Sequence, residues 1–451
     1  MVGGASMTFL PAREPDLSVG LVSNAKAIRL RLLGRFDLGG RRAPAGNYEV
    51  KLTGGVLSIA PASMDGDPLA TGRELHLIPL SELESRFEIE ATIGIGFHWE
   101  QTELQTFCGA LRLCYGSDGR LTVVNEVPLE TYLRSVVCSE MSASSPIELI
   151  RAHAIVSRSW LLAQLSPKPS TGAVASRRGE MIRIYDRESH ADFMVCADDH
   201  CQRYQGMGRI MPDSVSGAID DTRGSVLVYG GEVCDARFSK CCGGVTEAYR
   251  AAWQDRDIPY LSPIGDAADR KLPTPSLSDE SVFRRFLTDP PPSFCNCDDS
   301  DLLRALLPHS DIETEFYRWR ERREVHELAR LLGEKGNIDI GRPLRLEPVE
   351  RGTSGRLVRV RITGDRGEIV VGKELEIRRL LSPSHLRSSA FLAETVGDPD
   401  SPDAFILHGA GWGHGVGLCQ IGAAVMASRG YGHLEIMRHY FQGVSLVQAY
   451  E

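Results

Sequence analysis

Glu140 is a lone carboxylate in the stretch VVCSEMSASSPIELIRAHAIVSRSW, residues 136–160, placed in a polar link between two runs with helical spacing. Among Val136, Val137, Cys138 and Met141, desolvation would favour the protonated form that a general acid needs. An exposed glutamate at a helix end is the plainer alternative. Arg158 lies on the second run, within AHAIVSRSW. Its apolar neighbours predict burial, and a buried guanidinium needs an anionic or polar partner, with Glu140 one candidate and a loop carbonyl another.

Three further stretches carry chemistry. HADFMVCADDHCQRY supplies His190, Cys196, His200 and Cys201. Two imidazoles and two thiols suit tetrahedral zinc and leave no open position, which fits a structural ion; a Cys196–Cys201 disulfide is the alternative, since no Cys-x-x-Cys spacing occurs. FSKCCGG, residues 238–244, sets Lys240 and two thiols in a glycine turn, which either brings backbone amides and Lys240 to a ligand or simply turns the chain. GAGWGHGVGLCQIGAA, residues 409–424, has glycine at 409, 411, 413, 415 and 417. It fits neither the dinucleotide spacing nor a Walker lysine. Sparse side-chain cover there lets Trp412, His414 and Gln420 line a groove suited to a sugar, whose C–H faces stack on aromatics while its hydroxyls need hydrogen bonds. A purely architectural loop is the competing reading.

The elements that must position these residues follow from periodicity. VGLVS, AIRLRLLG, YEVKLTGG, LHLIPL and FEIEATI, between residues 17 and 107, read as strands separated by turns. Behind Pro128 the spacing becomes helical through Val136 and Val137, and a second helix is expected at SPIE, with Ser145 as cap and Glu148 closing a capping box. Residues 165–185 read as loop, 225–239 and 343–380 as strand regions, and 266–300 as an irregular excursion. A charged helix is expected over 312–333, and two short helices end the chain, the first stopped by Gly430. No internal repeat is present, and the class is α+β without the strand–helix alternation of doubly wound folds.

Bulk composition narrows the partners. A formal charge of −9 gives no general attraction to nucleic acid or anionic membrane. No apolar run is long enough to span a bilayer, so no membrane span is expected. The start, MVGGASMTFLPAREPDLSVG, lacks a secretory pattern, which leaves a cytosolic protein or one whose leader is absent from this chain. Eleven cysteines cannot all pair; Cys138, Cys234 and Cys419 stand apart and are expected as small core residues.

Taken in order, VPLETYLRSVVCSEM…SPIELIRAHAIVSRSW, DARFSKCCGGVTE followed by Trp253, and GWGHGVGLCQIGAAVMASRGYGHLEIMRHYFQG resemble the SpoIID/LytB family, named for sporulation stage II protein D and an amidase enhancer. The resemblance covers about 120–265 and 340–443. It implies a mixed β-sheet core with short helices forming a substrate groove, in two parts (108–265 and 341–451); the strand-rich residues 15–107 then form an N-terminal β-rich domain beside it, and 266–340, with the charged helix, an insertion. Departures are Lys240-Cys241-Cys242 where the family often has a serine turn, Cys419 in a loop that often reads GMSQ, and His153 in place of a frequent glutamine.

The resemblance also implies an activity: lytic transglycosylase cleavage of peptidoglycan between MurNAc and GlcNAc, giving 1,6-anhydro-MurNAc ends. Glu140-Met141 matches the family's catalytic E-M motif and Arg158 its arginine. Lys240, Trp412, His414 and Gln420 are the implied substrate-binding residues, and His190, Cys196, His200 and Cys201 a structural zinc set. A cell-wall substrate implies an extracytoplasmic location. The competing function is a non-catalytic glycan-binding enhancer of a cell-wall amidase; a zinc hydrolase built on His190 ranks below both, because four ligands already fill its shell.

Overall fold

The computed structural model describes residues 10–63, 67–96, 100–166, 173–177, 179–185, 190–207, 213–307 and 315–451. The mixed α+β class is confirmed, with a β-rich N-terminal region. The chain divides into two compact units that each draw on separated segments: Leu10–Ala143 with Ser189–Ser225 and Gln448–Glu451, and Ser144–Glu188 with Val226–Val447.

In the unit that starts at Leu10, alternation writes the sheets. Along Arg86–Ile93 the side chains of Phe87, Ile89, Ala91 and Ile93 are buried, while the glutamates between them face outward. Seven strands form one sheet and six another. The pairs are antiparallel except where Asp16–Ala25 runs parallel to the two-residue strand Val195–Cys196, with Val19 opposite Val195 and Gly20 opposite Cys196. That pairing brings the His190–Cys201 segment onto the sheet. The helix Leu129–Glu140 follows the strand Leu121–Pro128 directly, and Pro128 supplies the fixed φ at its start.

The other unit holds a five-stranded sheet of Ala173–Arg177, Glu180–Ile184, Glu368–Gly372, Leu357–Gly364 and Pro343–Arg351, and a three-stranded sheet of Arg318–Glu324, Ser401–Ala410 and Phe391–Asp398. Their shared core includes Trp319, Leu332, Ile362, Val371, Ile377, Phe391 and Phe405. Ile147–Leu165, Gln420–Ser428 and His433–Tyr440 are among its helices.

Several expectations change. The charged helix over 312–333 splits: Arg318–Glu324 is a strand, paired from Arg318 opposite Ala410 to Glu324 opposite Ala404, and only Val325–Gly336 is helical. Burial of Trp319 and sheet pairing override the helix preference of an Arg/Glu-rich run. Its first residues, 312–314, lie outside the described residues. Within 165–185, two strands replace the expected loop; 167–172 is not described. The excursion over 266–300 contains the helix Glu280–Thr288, capped by Asp279, whose carboxylate accepts the Ser281 and Val282 N–H groups. At the second helix, Pro146 takes the cap position with no side-chain cap, and Glu148 bonds Arg151 and the N–H and ring of His433 instead of closing a capping box.

Gly411, Gly413, Gly415 and Gly417 all have φ between +74° and +87°. At Gly417 a Cβ would sit 2.1 Å from the Arg237 carbonyl oxygen, beside the parallel pair Phe238–Ser239 and Leu418–Cys419. Gly430 has φ +88° but open space around it. Gly430→Ala is therefore expected to cost about 1 kcal/mol, the left-handed penalty alone. Gly417→Ala is expected to cost at least about twice that, because the clash is with backbone. Denaturant midpoints of the two variants check this; equal losses would show that the close approach carries no energy.

Candidate active site and metal-binding groups

Glu140 ends its helix half-buried, and its Oε1 accepts the backbone N–H of Arg203 at 3.0 Å. The segment that supplies this donor is held at several points. Tyr204 stacks on Tyr132 at 4.9 Å, donates its hydroxyl to Asn125 at 2.6 Å, and its N–H bonds the Ala197 carbonyl. Asp198 accepts the Gly94 and Ile95 N–H groups. Glu140 therefore faces a backbone whose position is set by the same loop that carries His190, Cys196, His200 and Cys201.

One ligand atom from each of those four residues lies within 4.8 Å of all the others. His190 Nε2 is 3.4 Å from Cys201 Sγ, and His200 Nδ1 is 3.5 Å from Cys201 Sγ and 3.8 Å from Cys196 Sγ. Metal–ligand bonds of about 2.0–2.3 Å place N and S roughly 3.5 Å apart across a tetrahedron, so the set fits an ion. No disulfide joins Cys196 to Cys201 in the structure. Bonds from Cys201 and the two imidazoles draw the Cys196 thiol well below its ordinary pKa, against the opposing effect of burial.

The remaining sequence candidates lie in the other unit. The cysteine turn and glycine loop are stitched together: Cys241 and Trp412 exchange both backbone hydrogen bonds, at 3.0 and 2.8 Å, and the Glu247 N–H bonds the Gly415 carbonyl. Arg356, fully buried, donates to the carbonyls of Gly413, Cys242 and Cys241 and to the Ser354 hydroxyl. Glu247, also fully buried, accepts from the Thr353 and Ser354 N–H groups and the Ser354 hydroxyl. Neither residue was singled out in the sequence, because a buried ion held by backbone has no spacing signature.

Trp412 and His414 are partly exposed; Trp412 stacks on Phe316 at 5.5 Å and His414 packs on Trp253 at 4.7 Å. The His414 Nδ1 accepts the Val416 N–H, and burial with Arg237, Arg356 and Arg378 nearby holds its pKa far below the usual histidine value. Arg158 is fully buried on its helix, Lys240 is nearly so, and Gln420 is 2% exposed. The Gln420 amide donates to His153 Nε2 at 3.1 Å, so the neutral ring keeps its proton on Nδ1, beside the Ser157 hydroxyl at 3.2 Å. A cavity of about 540 Å³ in this unit, lined by Arg284, Arg318, Arg320 and Glu394 among others, includes none of these candidates.

Residues 117–229 match the profile of the Stage II sporulation protein family, SpoIID, and residues 247–417 that of a domain of unknown function, DUF8618. Stage II sporulation protein D of Bacillus amyloliquefaciens is 24% identical over 72% of this chain and 76% of its own length. The amidase enhancer of Bacillus subtilis is 21% identical over 70% of this chain and 40% of its own length. An uncharacterized protein of Brachyspira hyodysenteriae is 26% identical over 72% of this chain and 68% of its own.

The chain carries a SpoIID-family domain, and over about 70% of its length it is similar to stage II sporulation protein D and the amidase enhancer.

The SpoIID profile match spans Glu140, Arg158 and the whole His190–Cys201 set. A second group able to hold a metal, Cys242, Asp266, Cys295 and Cys419, falls outside it. The sequence reading missed that group, since its members are far apart along the chain and Cys419 was expected to be a plain core residue.

Burial, with the Lys240 charge adding to it, lowers the His153 pKa to about 3. The unfolded chain, with an ordinary histidine near pH 6.5, then binds the extra proton first as pH falls. Stability is expected to decline from about pH 6.5 downward, at up to roughly 1.4 kcal/mol per pH unit for this group. Urea midpoints between pH 7 and 5 check this, and His153→Gln is expected to flatten the slope by one proton's worth.

Proposed function

We propose that this protein is a lytic transglycosylase acting on the glycan strands of peptidoglycan, with Glu140 as both acid and base. The observation that carries the reading is the placement of Glu140: a carboxylate at a helix end inside the SpoIID match, with one oxygen fixed by the Arg203 N–H. Protonated Glu140 donates to the glycosidic oxygen between MurNAc and GlcNAc as the C1–O bond breaks. The resulting carboxylate takes the proton of the MurNAc C6 hydroxyl while O6 bonds to C1. Both protons pass through one group and no water is consumed, so a second catalytic carboxylate is unnecessary, unlike in most glycosidases.

Lys240 and His414 are proposed to meet the charge and hydroxyls of the bound glycan, with Trp412 as a stacking surface and the fully buried Arg158 contributing its charge from beneath. Gln420 would act from behind the surface, through its bond to His153. His190, Cys196, His200 and Cys201 would hold a structural zinc ion, whose chemistry here is to neutralise two thiolates and fix the loop that contacts Glu140. A peptidoglycan substrate places the protein's work outside the cytoplasmic membrane. The relative named amidase enhancer supports a second reading, in which this chain binds glycan and stimulates a cell-wall amidase without cleaving.

Mass spectrometry of glycan strands, with and without stem peptides, separates the readings. Wild type is expected to generate anhydro-MurNAc ends. Glu140→Gln is expected to lower their formation by about 10²–10⁴-fold while co-sedimentation with the strands is unchanged. Bound strands without cleavage by wild type would move the protein to the enhancer class. Removal of the proposed zinc by a chelator is expected to lower the melting temperature by several degrees, and Cys201→Ser to reproduce that loss; an unchanged melting temperature would contradict a structural ion.

A further inference from the structure

Four side chains that the glycan reading does not use meet inside the unit that contains the glycine loop. Cys242, Asp266, Cys295 and Cys419 are each 2% exposed or less, and one ligand atom from each lies within 4.8 Å of all the others. The Sγ atoms of Cys242 and Cys295 are 3.5 Å apart. That is far beyond a disulfide bond of about 2.05 Å, and close to the roughly 3.8 Å edge of a tetrahedron built on zinc–sulfur bonds of about 2.3 Å. All the thiols are free.

The surroundings are those of an anionic ligand set. The Cys242 and Gly422 N–H groups point at Cys419 Sγ, at 3.2 and 3.4 Å, where the helix Gln420–Ser428 begins. N–H donors at a helix start favour thiolate over thiol. The two oxygens of Asp266 are oriented separately, Oδ1 by the Tyr440 hydroxyl at 2.7 Å and Oδ2 by the Cys295 N–H at 3.0 Å. Outer partners of this kind hold a ligating carboxylate in place. A carboxylate with no exposed surface is costly unless a cation balances it, and the cationic groups nearby are otherwise engaged or only partly matched. Arg356 spends its donors on carbonyls and Ser354, and the His439 Nε2 lies 3.7 Å from Asp266 Oδ1 without a hydrogen bond.

We propose that Cys242, Asp266, Cys295 and Cys419 form a second, structural metal site that takes a divalent, thiolate-seeking ion, with zinc the best match. Three sulfurs and one oxygen select zinc over magnesium or calcium, and four protein ligands leave no position for substrate. The ion would fasten the segment from Asp266 to Cys295 to the cysteine turn and to the start of the Gln420–Ser428 helix. This gives the 266–300 excursion a role as a clamp on the glycine loop. The proposal is independent of Glu140 and of any glycan chemistry.

Elemental analysis of the full chain, purified under reducing conditions and desalted, tests it without reference to activity. Two zinc ions per wild-type chain are expected, with one remaining in Cys201→Ser and one in Cys295→Ser. If Cys295→Ser is insoluble, the Cys201→Ser variant decides: one retained equivalent supports the second site, and none overturns it. No zinc in wild type, the full wild-type zinc content retained in Cys295→Ser, or a Cys242–Cys295 disulfide found by alkylation and mass spectrometry of the fresh protein would each overturn the proposal.

Discussion

The buried guanidinium of Arg356 is the contact on which the glycine loop depends. A single planar group reaches the carbonyls of Cys241, Cys242 and Gly413 and the Ser354 hydroxyl, binding the turn before the strand Leu357–Gly364 to two segments distant in sequence. A lysine could not replace it, because a point charge cannot satisfy acceptors spread over one plane. The arginine also explains the glycines. A Cβ at Gly415 would lie 2.5 Å from its Cζ, and one at Gly411 2.8 Å from its Nη2, so the loop must be bare to admit the group that holds it. Glu247 supplies the complementary anion-side anchor, taking N–H groups at 353 and 354 while its own N–H bonds Gly415.

In the unit that starts at Leu10, the corresponding constraint is the His190–Arg203 segment. It is paired to the sheet through Val195 and Cys196, packed through Tyr204, and it donates the Arg203 N–H to Glu140. A metal held by His190, Cys196, His200 and Cys201 would thus act on the candidate acid through backbone position and not through direct coordination. Both units rely on the same economy. Short loops that could wander are fixed by buried charge, thiol clusters and main-chain hydrogen bonds.

The sequence made some of this legible. Alternation over VGLVS through FEIEATI announced the N-terminal strands, and the change of period behind Pro128 announced the helix that ends at Glu140. The His/Cys quartet was visible because its members lie within twelve residues of one another. What stayed hidden depends on distant partners. Arg318–Glu324 looks helical until Ser401–Ala410 pairs with it. The Cys242–Asp266–Cys295–Cys419 group exists only once four remote segments are folded together, and Arg356 resembles any other arginine in a strand-rich region.

In the proposed chemistry the glycan bond is broken by transfer to the sugar's own C6 oxygen. Digesting purified glycan strands in ¹⁸O-enriched water tests it most directly. Transfer to C6 gives product ends with no ¹⁸O and a mass lower by one water than a hydrolysed end; ¹⁸O at new reducing ends would rule that transfer out and make the protein a hydrolase.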